Sequence, residues 1–405
     1  MRRPRIRRFG AVALTAALIL LAGCATEPAG SSGSAASSGP SPTSEPTTPA
    51  PPTPAELRHA DAVERVTSAT TREKVASIVM STAPGTDPAA LRSLIEAQGL
   101  GGVILMGSNV PATPEELRAL TGVVAGDPGF PALIGIDQEG GVVSRLAWDD
   151  LPSASALRTE APDATEAAFA ARARLLADTG VSVNFGIMAD ITADPSSFLA
   201  DRVLGVTPDD AADRVAAAVR GERGVVRSTL KHFPGHGSAP GNSHEMIPQS
   251  PLDRAAWKTT EAVPFRAGIN AGAELMMTGH VRFPTIDPLP ASLSPEWHRI
   301  AREDLGFTGV IVTDDLVMLQ NSGEPALLDA TQNAIQALLA GNDLLLHLDG
   351  AAVPAMIDGL IAAVDSGAVP EARLVDAATR VAELRLEIAG AHEPGSAPAA
   401  VVGPG

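Results

Sequence analysis

A chain of 405 residues with 47 acidic against 30 basic side chains carries a formal charge of −17. It has room for one large enzyme domain, and its acidic balance argues against nucleic acid, whose phosphates require clustered Lys and Arg. Its single cysteine, Cys24, excludes an intrachain disulfide framework.

In chain order, residues 1–8 hold five arginines and no acid, and an apolar run follows from Phe9 to Leu21. That run falls short of the roughly 20 apolar residues of a membrane span. It ends in Leu21-Ala22-Gly23-Cys24, which is similar to a bacterial lipobox and implies cleavage before Cys24 with diacylation of its sulfur. Residues 1–23 are therefore expected to be a lipoprotein signal peptide. The protein is expected to be exported and held to the outer face of the bacterial cell membrane. Without the five N-terminal arginines, 25 basic residues face 47 acidic ones, a balance of −22, so the lipid on Cys24 and not surface charge would make the attachment. Residues 24–56 are almost all Ser, Pro, Thr, Ala and Gly and read as a disordered tether. The tail at 391–405 has a similar composition, which leaves 57–390 for the folded domain.

Within the domain, short apolar runs alternate with helical patterns. The runs Leu100–Met106, Ala132–Asp137, Val181–Asp190, Ser228–Phe233, Glu274–Val281, Val310–Asp314 and Asp343–His347 read as strands. Pro114–Thr121, Thr165–Asp178, Asp209–Arg220, Asp253–Ala271 and Leu327–Ala340 read as helices between them. This is the pattern of βα units on a parallel sheet, and an α/β fold closed as a single (β/α)8 TIM-type barrel suits the length. Seven strands are visible and an eighth is expected. An open doubly wound sheet competes, but no GxGxxG follows a strand. Polar residues gather at the strand ends: Asp137-Gln138-Glu139, Lys231-His232, His280 and Asp314-Asp315. In a barrel those ends form the catalytic face.

Four segments, in order, resemble the family 3 β-N-acetylglucosaminidases. They are Gly135-Ile-Asp-Gln-Glu-Gly-Gly141, Lys231-His-Phe-Pro-Gly-His-Gly237 with Ser243-His244, Met277-Thr-Gly-His280, and Leu305-Gly-Phe-Thr-Gly-Val-Ile-Val-Thr-Asp-Asp-Leu316. The resemblance implies a retaining glycosidase acting through a covalent glycosyl-enzyme on a glycan containing N-acetylglucosamine, with cell-wall fragments as the expected source. It implies Asp314 as nucleophile. Strand alternation sends Asp314 and Asp315 to opposite faces without saying which faces inward. His244 is implied as acid/base, a role that suits an imidazole near neutral pH. Asp137, Arg145, Arg202, Lys231 and His232 are implied to bind sugar hydroxyls and the acetamide, although either arginine could serve in a structural ion pair. His236 reads as shaping its turn. The resemblance implies no metal and no cofactor.

Two positions depart from the family pattern. Asn242 stands where an aspartate usually pairs with the acid/base histidine, and Val142 where an arginine often follows the two glycines. A neutral partner weakens the dyad, so a sugar-binding lipoprotein with reduced catalysis is the alternative to a hydrolase. A metal hydrolase using His232, His236, His244 and His280 is a third reading, but the chain has no HExxH. The sequence says nothing of oligomeric state.

Overall fold

The computed structural model describes residues 51–391. The signal peptide, Cys24, nearly all of the tether and almost all of the tail lie outside them. Eight parallel strands follow one another around a barrel: β1 Val79–Ser81, β2 Gly102–Leu105, β3 Leu133–Ile136, β4 Val183–Met188, β5 Arg227–Phe233, β6 Leu275–Thr278, β7 Val310–Thr313 and β8 Leu345–Leu346. β8 pairs with β1 in register Val79↔Leu345. The ring closes between β7 and β8 through the Val312↔Leu344 bridge and the Leu344 N to Ile311 O and Thr313 N to Leu344 O bonds. The expected barrel is thus the observed one.

The eighth strand is β1, three residues long. It escaped the sequence reading because only Ile78 separates it from the Thr71–Ser77 helix, with no turn residue to mark the change of period. Six of the other seven fall inside the expected runs and are shorter, and β5 begins one residue before its expected run, at Arg227. Alternate side chains enter the barrel, and Ile78, Met80, Ile104, Phe185, Leu275, Met277, Val310 and Val312 share one buried cluster. Gly135 belongs to that packing. A Cβ there would lie 2.5 Å from Phe185 Cε2, so the ring fills the space that the missing side chain leaves.

Two helices differ from expectation for local reasons. Asp253–Ala271 splits into Arg254–Thr259 and Ala262–Ala271, with Thr260 leaving the helical region between them. Pro264 cannot bond back to residue 260 and is tolerated only in a first turn, so the second piece begins just before it. Leu327–Ala340 becomes a short 3-10 turn and a helix from Ala330, because the Asp329 carboxylate accepts the Gln332 N–H and caps a new start. At the N-terminus a helix covers Pro54–Ser68, entering the stretch assigned to the tether. Thr53 and Glu56 form a reciprocal capping box that begins it there. This helix packs on the last one, Glu371–Ala391.

Candidate active site

The C-terminal ends of the strands surround a cavity of about 310 Å³. Its apolar side comes from Ile104, Met277 and Leu346 within β2, β6 and β8, with Met318 beyond β7. Its polar side brings together Asp137, Arg145, Arg202, Lys231, His232, His244 and Asp314 from four strand ends or the loops that follow them. All seven were candidates from sequence. Asn242 does not line this cavity.

Lys231 is the centre of the polar side. It is nearly fully buried, and its Nζ lies 2.8 Å from Asp137 Oδ1 and 2.6 Å from Glu139 Oε1. Arg202 grips Glu139 with both Nε (2.9 Å) and Nη2 (2.8 Å), while Arg145 Nη2 stands 3.5 Å from Asp137 Oδ2. Burial by itself would raise the pKa of Asp137. The Lys231 ammonium, with Arg145 and Arg202, more than offsets this and holds the carboxyl below its ordinary range. The result is an ionised acceptor among fixed cations, the chemistry that orients a ring of hydroxyls. Arg202 therefore does both jobs the sequence left open: it forms a structural pair and lines the cavity.

The Arg145 loop is held from beneath. Gln138 is completely buried, and its Oε1 accepts the N–H groups of Arg145 (2.7 Å) and Leu146 (3.1 Å). Its Nε2 donates to Asp149 Oδ2, which also takes Arg172 Nε at 2.7 Å in a fully buried ion pair. Glu139, Gln138 and Asp190 were not among the sequence candidates. Glu139 lies two residues from Asp137, and so on the same side by alternation. Asp190 ends the run expected as β4. Those positions were the available signals.

His232 is fixed by Asp190, whose Oδ2 accepts the His232 backbone N–H and lies 2.8 Å from its Nδ1. The other Asp190 oxygen takes the His236 N–H at 2.6 Å. His236 thus shapes the turn, as expected, and its ring packs edge-on to Phe198 at 5.0 Å. The turn requires glycine at Gly237, where a Cβ would fall 1.6 Å from Ile191 O. Trp257 Nε1 donates to Pro234 O at 2.8 Å from behind. His280 is also tied up. Its Nε2 donates to Asp315 O (2.8 Å), so Nδ1 accepts from Ser292 Oγ (2.7 Å). Among the described residues, no three His, Cys, Asp or Glu side chains are grouped to hold a metal ion.

The two adjacent aspartates have opposite electrostatics. Asp314 follows β7. Burial raises its pKa, but the His232 and His280 imidazoles and the Asp315 N–H hydrogen bond bring it below the usual value. Asp315 caps the Leu316–Asn321 helix through Val317 N and also accepts Leu348 N. Burial raises its pKa against those bonds, and the Asp314 charge adds to the rise. Both line the cavity, where the Asp314 carboxylate is kept ionised while that of Asp315 is spent on backbone donors.

His244 lies in the exposed part of the loop after β5. Asn242 Oδ1 accepts the His244 backbone N–H at 3.1 Å, and Asn242 Nδ2 donates to Glu245 Oε1 at 3.3 Å. No hydrogen bond joins Asn242 to the His244 ring, so the pairing expected from sequence is absent here. The short side chain closes a local turn on its own backbone instead.

Beneath this loop lies Glu261, which accepts the Ser238 N–H at 2.9 Å. Burial, joined by repulsion from Asp190, pushes its carboxyl up to about 8. Glu222, under β4 and bonded to Asn184 Nδ2 at 2.6 Å, is likewise pushed up to about 8, mainly by burial. Below the ordinary carboxylate pKa of about 4.3, both the native and unfolded states hold these protons. As pH rises toward 8 the unfolded state releases them while the native state retains them, so stability is lost across that window. Tm should therefore fall by a few degrees between about pH 5 and pH 8, and Glu261→Gln should remove about half of the decline. Thermal melts over this range check it, and an unchanged slope in the variant would contradict it.

A parallel barrel with buried, ion-paired carboxylates around a cavity at its C-terminal face has the layout of a barrel enzyme's active site. Residues 70–384 match the glycosyl hydrolase family 3 N-terminal domain, and the chain belongs to that family. It is accordingly a glycosidase. It is similar to a protein named beta-hexosaminidase from Alkalilimnicola ehrlichii, 33% identical over 296 residues covering 70% of this chain and 83% of the relative. A protein of the same name from Stenotrophomonas maltophilia strain K279a is 32% identical over 298 residues, 70% of this chain and 85% of the relative. Among solved structures, a glycoside hydrolase family 3 beta-N-acetylglucosaminidase from Paenibacillus sp. str. FPU-7 matches with a TM-score of 0.75 and 32% identity. That match covers 82% of this chain and 64% of the Paenibacillus chain. A family 3 glycosyl hydrolase from Mycobacterium smegmatis matches at 0.71 and 30% identity, covering 79% of this chain and 98% of that one.

Proposed function

We propose that the protein is a retaining exo-acting β-N-acetylhexosaminidase that removes terminal β-linked N-acetylglucosamine, with cell-wall fragments as its source. The observation that carries this reading is the Asp314 carboxylate. It is held ionised at the wall of a cavity that also offers Asp137, Lys231, Arg145 and Arg202 to hydroxyls. Asp314 attacks the anomeric carbon, and the bond to the leaving oxygen breaks as the His244 imidazolium gives that oxygen its proton. Neutral His244 then takes a proton from water as the water oxygen attacks the same carbon and releases Asp314. The names of the relatives support the sugar assignment.

A panel of aryl β-glycosides tests the reading. The N-acetylglucosaminide should be cleaved fastest, with retention of configuration in the first product. Faster cleavage of the glucoside, or inversion, would overturn it. The second reading, a sugar-binding protein with little turnover, draws on the unpartnered His244 ring. Sugar binding with no release of phenol would favour it.

Attachment to the outer face of the membrane through acylated Cys24 belongs to the same proposal and rests on the residues before the domain. Cys24→Ala should move the protein to the soluble fraction, because the thioether alone would carry the lipid. A variant that stays with membranes after a high-salt wash would contradict this.

A further inference from the structure

His280 ends the Met277-Thr-Gly-His string, yet it does not line the catalytic cavity. It is completely buried just beyond β6, and both of its ring nitrogens are engaged. Nε2 donates to the Asp315 carbonyl, in the turn between β7 and the Leu316–Asn321 helix. That turn aims Asp314, whose own N–H donates to Thr278 O at 2.9 Å and whose Oδ1 accepts the Asp315 N–H at 2.8 Å. Asp315 is thus held at both backbone groups, its N–H by the Asp314 carboxylate and its C=O by His280. The second bond exists only while the His280 proton is on Nε2. Burial keeps the imidazole neutral by lowering its pKa, so a single proton serves two nitrogens. Ser292 Oγ, 2.7 Å from Nδ1, donates there and leaves the proton on Nε2. Ser292 is fixed in its turn. Its N–H donates to Gly279 O at 3.1 Å, its carbonyl accepts Asn342 Nδ2 at 2.8 Å, and Asn342 Oδ1 accepts the Thr278 hydroxyl at 2.7 Å. Ser292, Asn342 and Thr278 are all completely buried.

We propose that His280 is a positioning residue for the nucleophile: its Nε2–H fixes the turn that aims the Asp314 carboxylate, and Ser292 fixes the tautomer that supplies that N–H. The proposal rests on the reading of Asp314 as nucleophile. Attack on the anomeric carbon requires a carboxylate oxygen at about 3–3.5 Å and in line, and a displacement of about 1 Å costs on the order of 10²-fold in rate. A buried, fully bonded network behind the turn supplies that precision without touching the sugar. Both bonds use the Asp315 backbone, so Asp315→Ala leaves them in place.

The test compares two substitutions in the intact protein. His280→Leu keeps bulk and loses the donor, whereas His280→Gln returns an N–H near the place of Nε2. The rate of glycosyl-enzyme formation from a slow fluorinated N-acetylglucosaminyl fluoride should fall about 10²-fold in His280→Leu and recover to within a few-fold of wild type in His280→Gln. Affinity for N-acetylglucosamine should change little in either, because Asp137, Lys231 and Arg202 are untouched. Equal rate losses in the two variants, or a loss of affinity as deep as the loss of rate, would overturn the proposal. If His280→Leu does not fold, Ser292→Ala takes its place. There the ring proton divides between the two nitrogens, and the rate should fall several-fold at unchanged affinity; a wild-type rate would overturn the proposal. A wild-type protein that forms no glycosyl-enzyme would count against the nucleophile reading alone. NMR titration of isotope-labelled aspartate then decides the role of His280. The Asp314 carboxyl, assigned by its loss in Asp314→Asn, should titrate at higher pH in His280→Leu, because the Asp315 N–H bond to its charged form slackens, and should return toward the wild-type value in His280→Gln. An Asp314 titration unmoved in His280→Leu, or moved equally in both variants, would overturn the proposal.

Discussion

Asp314→Ala should reduce turnover on the order of 10⁴-fold or more while leaving sugar affinity within a few-fold of wild type. The first half follows from chemistry: without a carboxylate oxygen at this point no glycosyl-enzyme forms. The second half follows from the division of labour in the cavity. Asp137, Lys231 and Arg202 form an ion-paired set with Glu139 that does not include Asp314. Single-turnover assays and calorimetry on the same variant separate the two quantities. Asp315→Ala should behave differently. It removes a helix cap and the acceptor of Leu348 N, so its main cost is in stability, about 1–2 kcal/mol. A kinetic loss for Asp315→Ala as deep as that for Asp314→Ala, at full stability, would reverse the assignment.

The second large effect concerns His244. Its removal should cost about 10²–10⁴-fold on natural linkages and little on nitrophenyl glycosides, whose leaving groups depart without a proton. The alkaline limb of the kcat/KM profile, the one a general acid sets, should change with it. Asn242 enters here in a way its sequence position alone does not show. Its amide donates to Glu245 Oε1, so Asn242→Asp would set a second carboxylate against that one. Combined with Glu245→Gln, the new charge is free to pair with the His244 ring and favour its protonated form. The double variant should gain on the order of 10²-fold on natural linkages and little on nitrophenyl ones. Equal gains on both substrates would point to loop ordering in place of proton transfer.

Much of this site was legible because barrel chemistry collects at strand ends, and those ends carry the polar strings of this sequence. Asp137, Lys231, His232 and Asp314 meet for that reason. What sequence cannot express is which side chains satisfy one another across strands. Lys231 lies between two carboxylates that come from a single three-residue string 92 to 94 positions earlier, and only the β3–β5 geometry brings Glu139 there. Asp190 looked like the last residue of a strand until its two oxygens were seen to hold His232 and His236. The Asn242 departure was visible, but its consequence was not. The motif implies a contact with the imidazole, whereas the folded loop turns the amide to the His244 backbone and Glu245.

The most direct test of the central claim, that Asp314 is the nucleophile of a retaining glycosidase, is covalent trapping on the wild-type enzyme. A slow fluorinated N-acetylglucosaminyl fluoride should form a glycosyl-enzyme faster than water clears it, inactivating the protein and adding one sugar mass. Peptide mapping by mass spectrometry is expected to place that mass on Asp314. A label on Asp315, or an enzyme that turns over natural substrate yet is labelled at no carboxylate, would contradict the account.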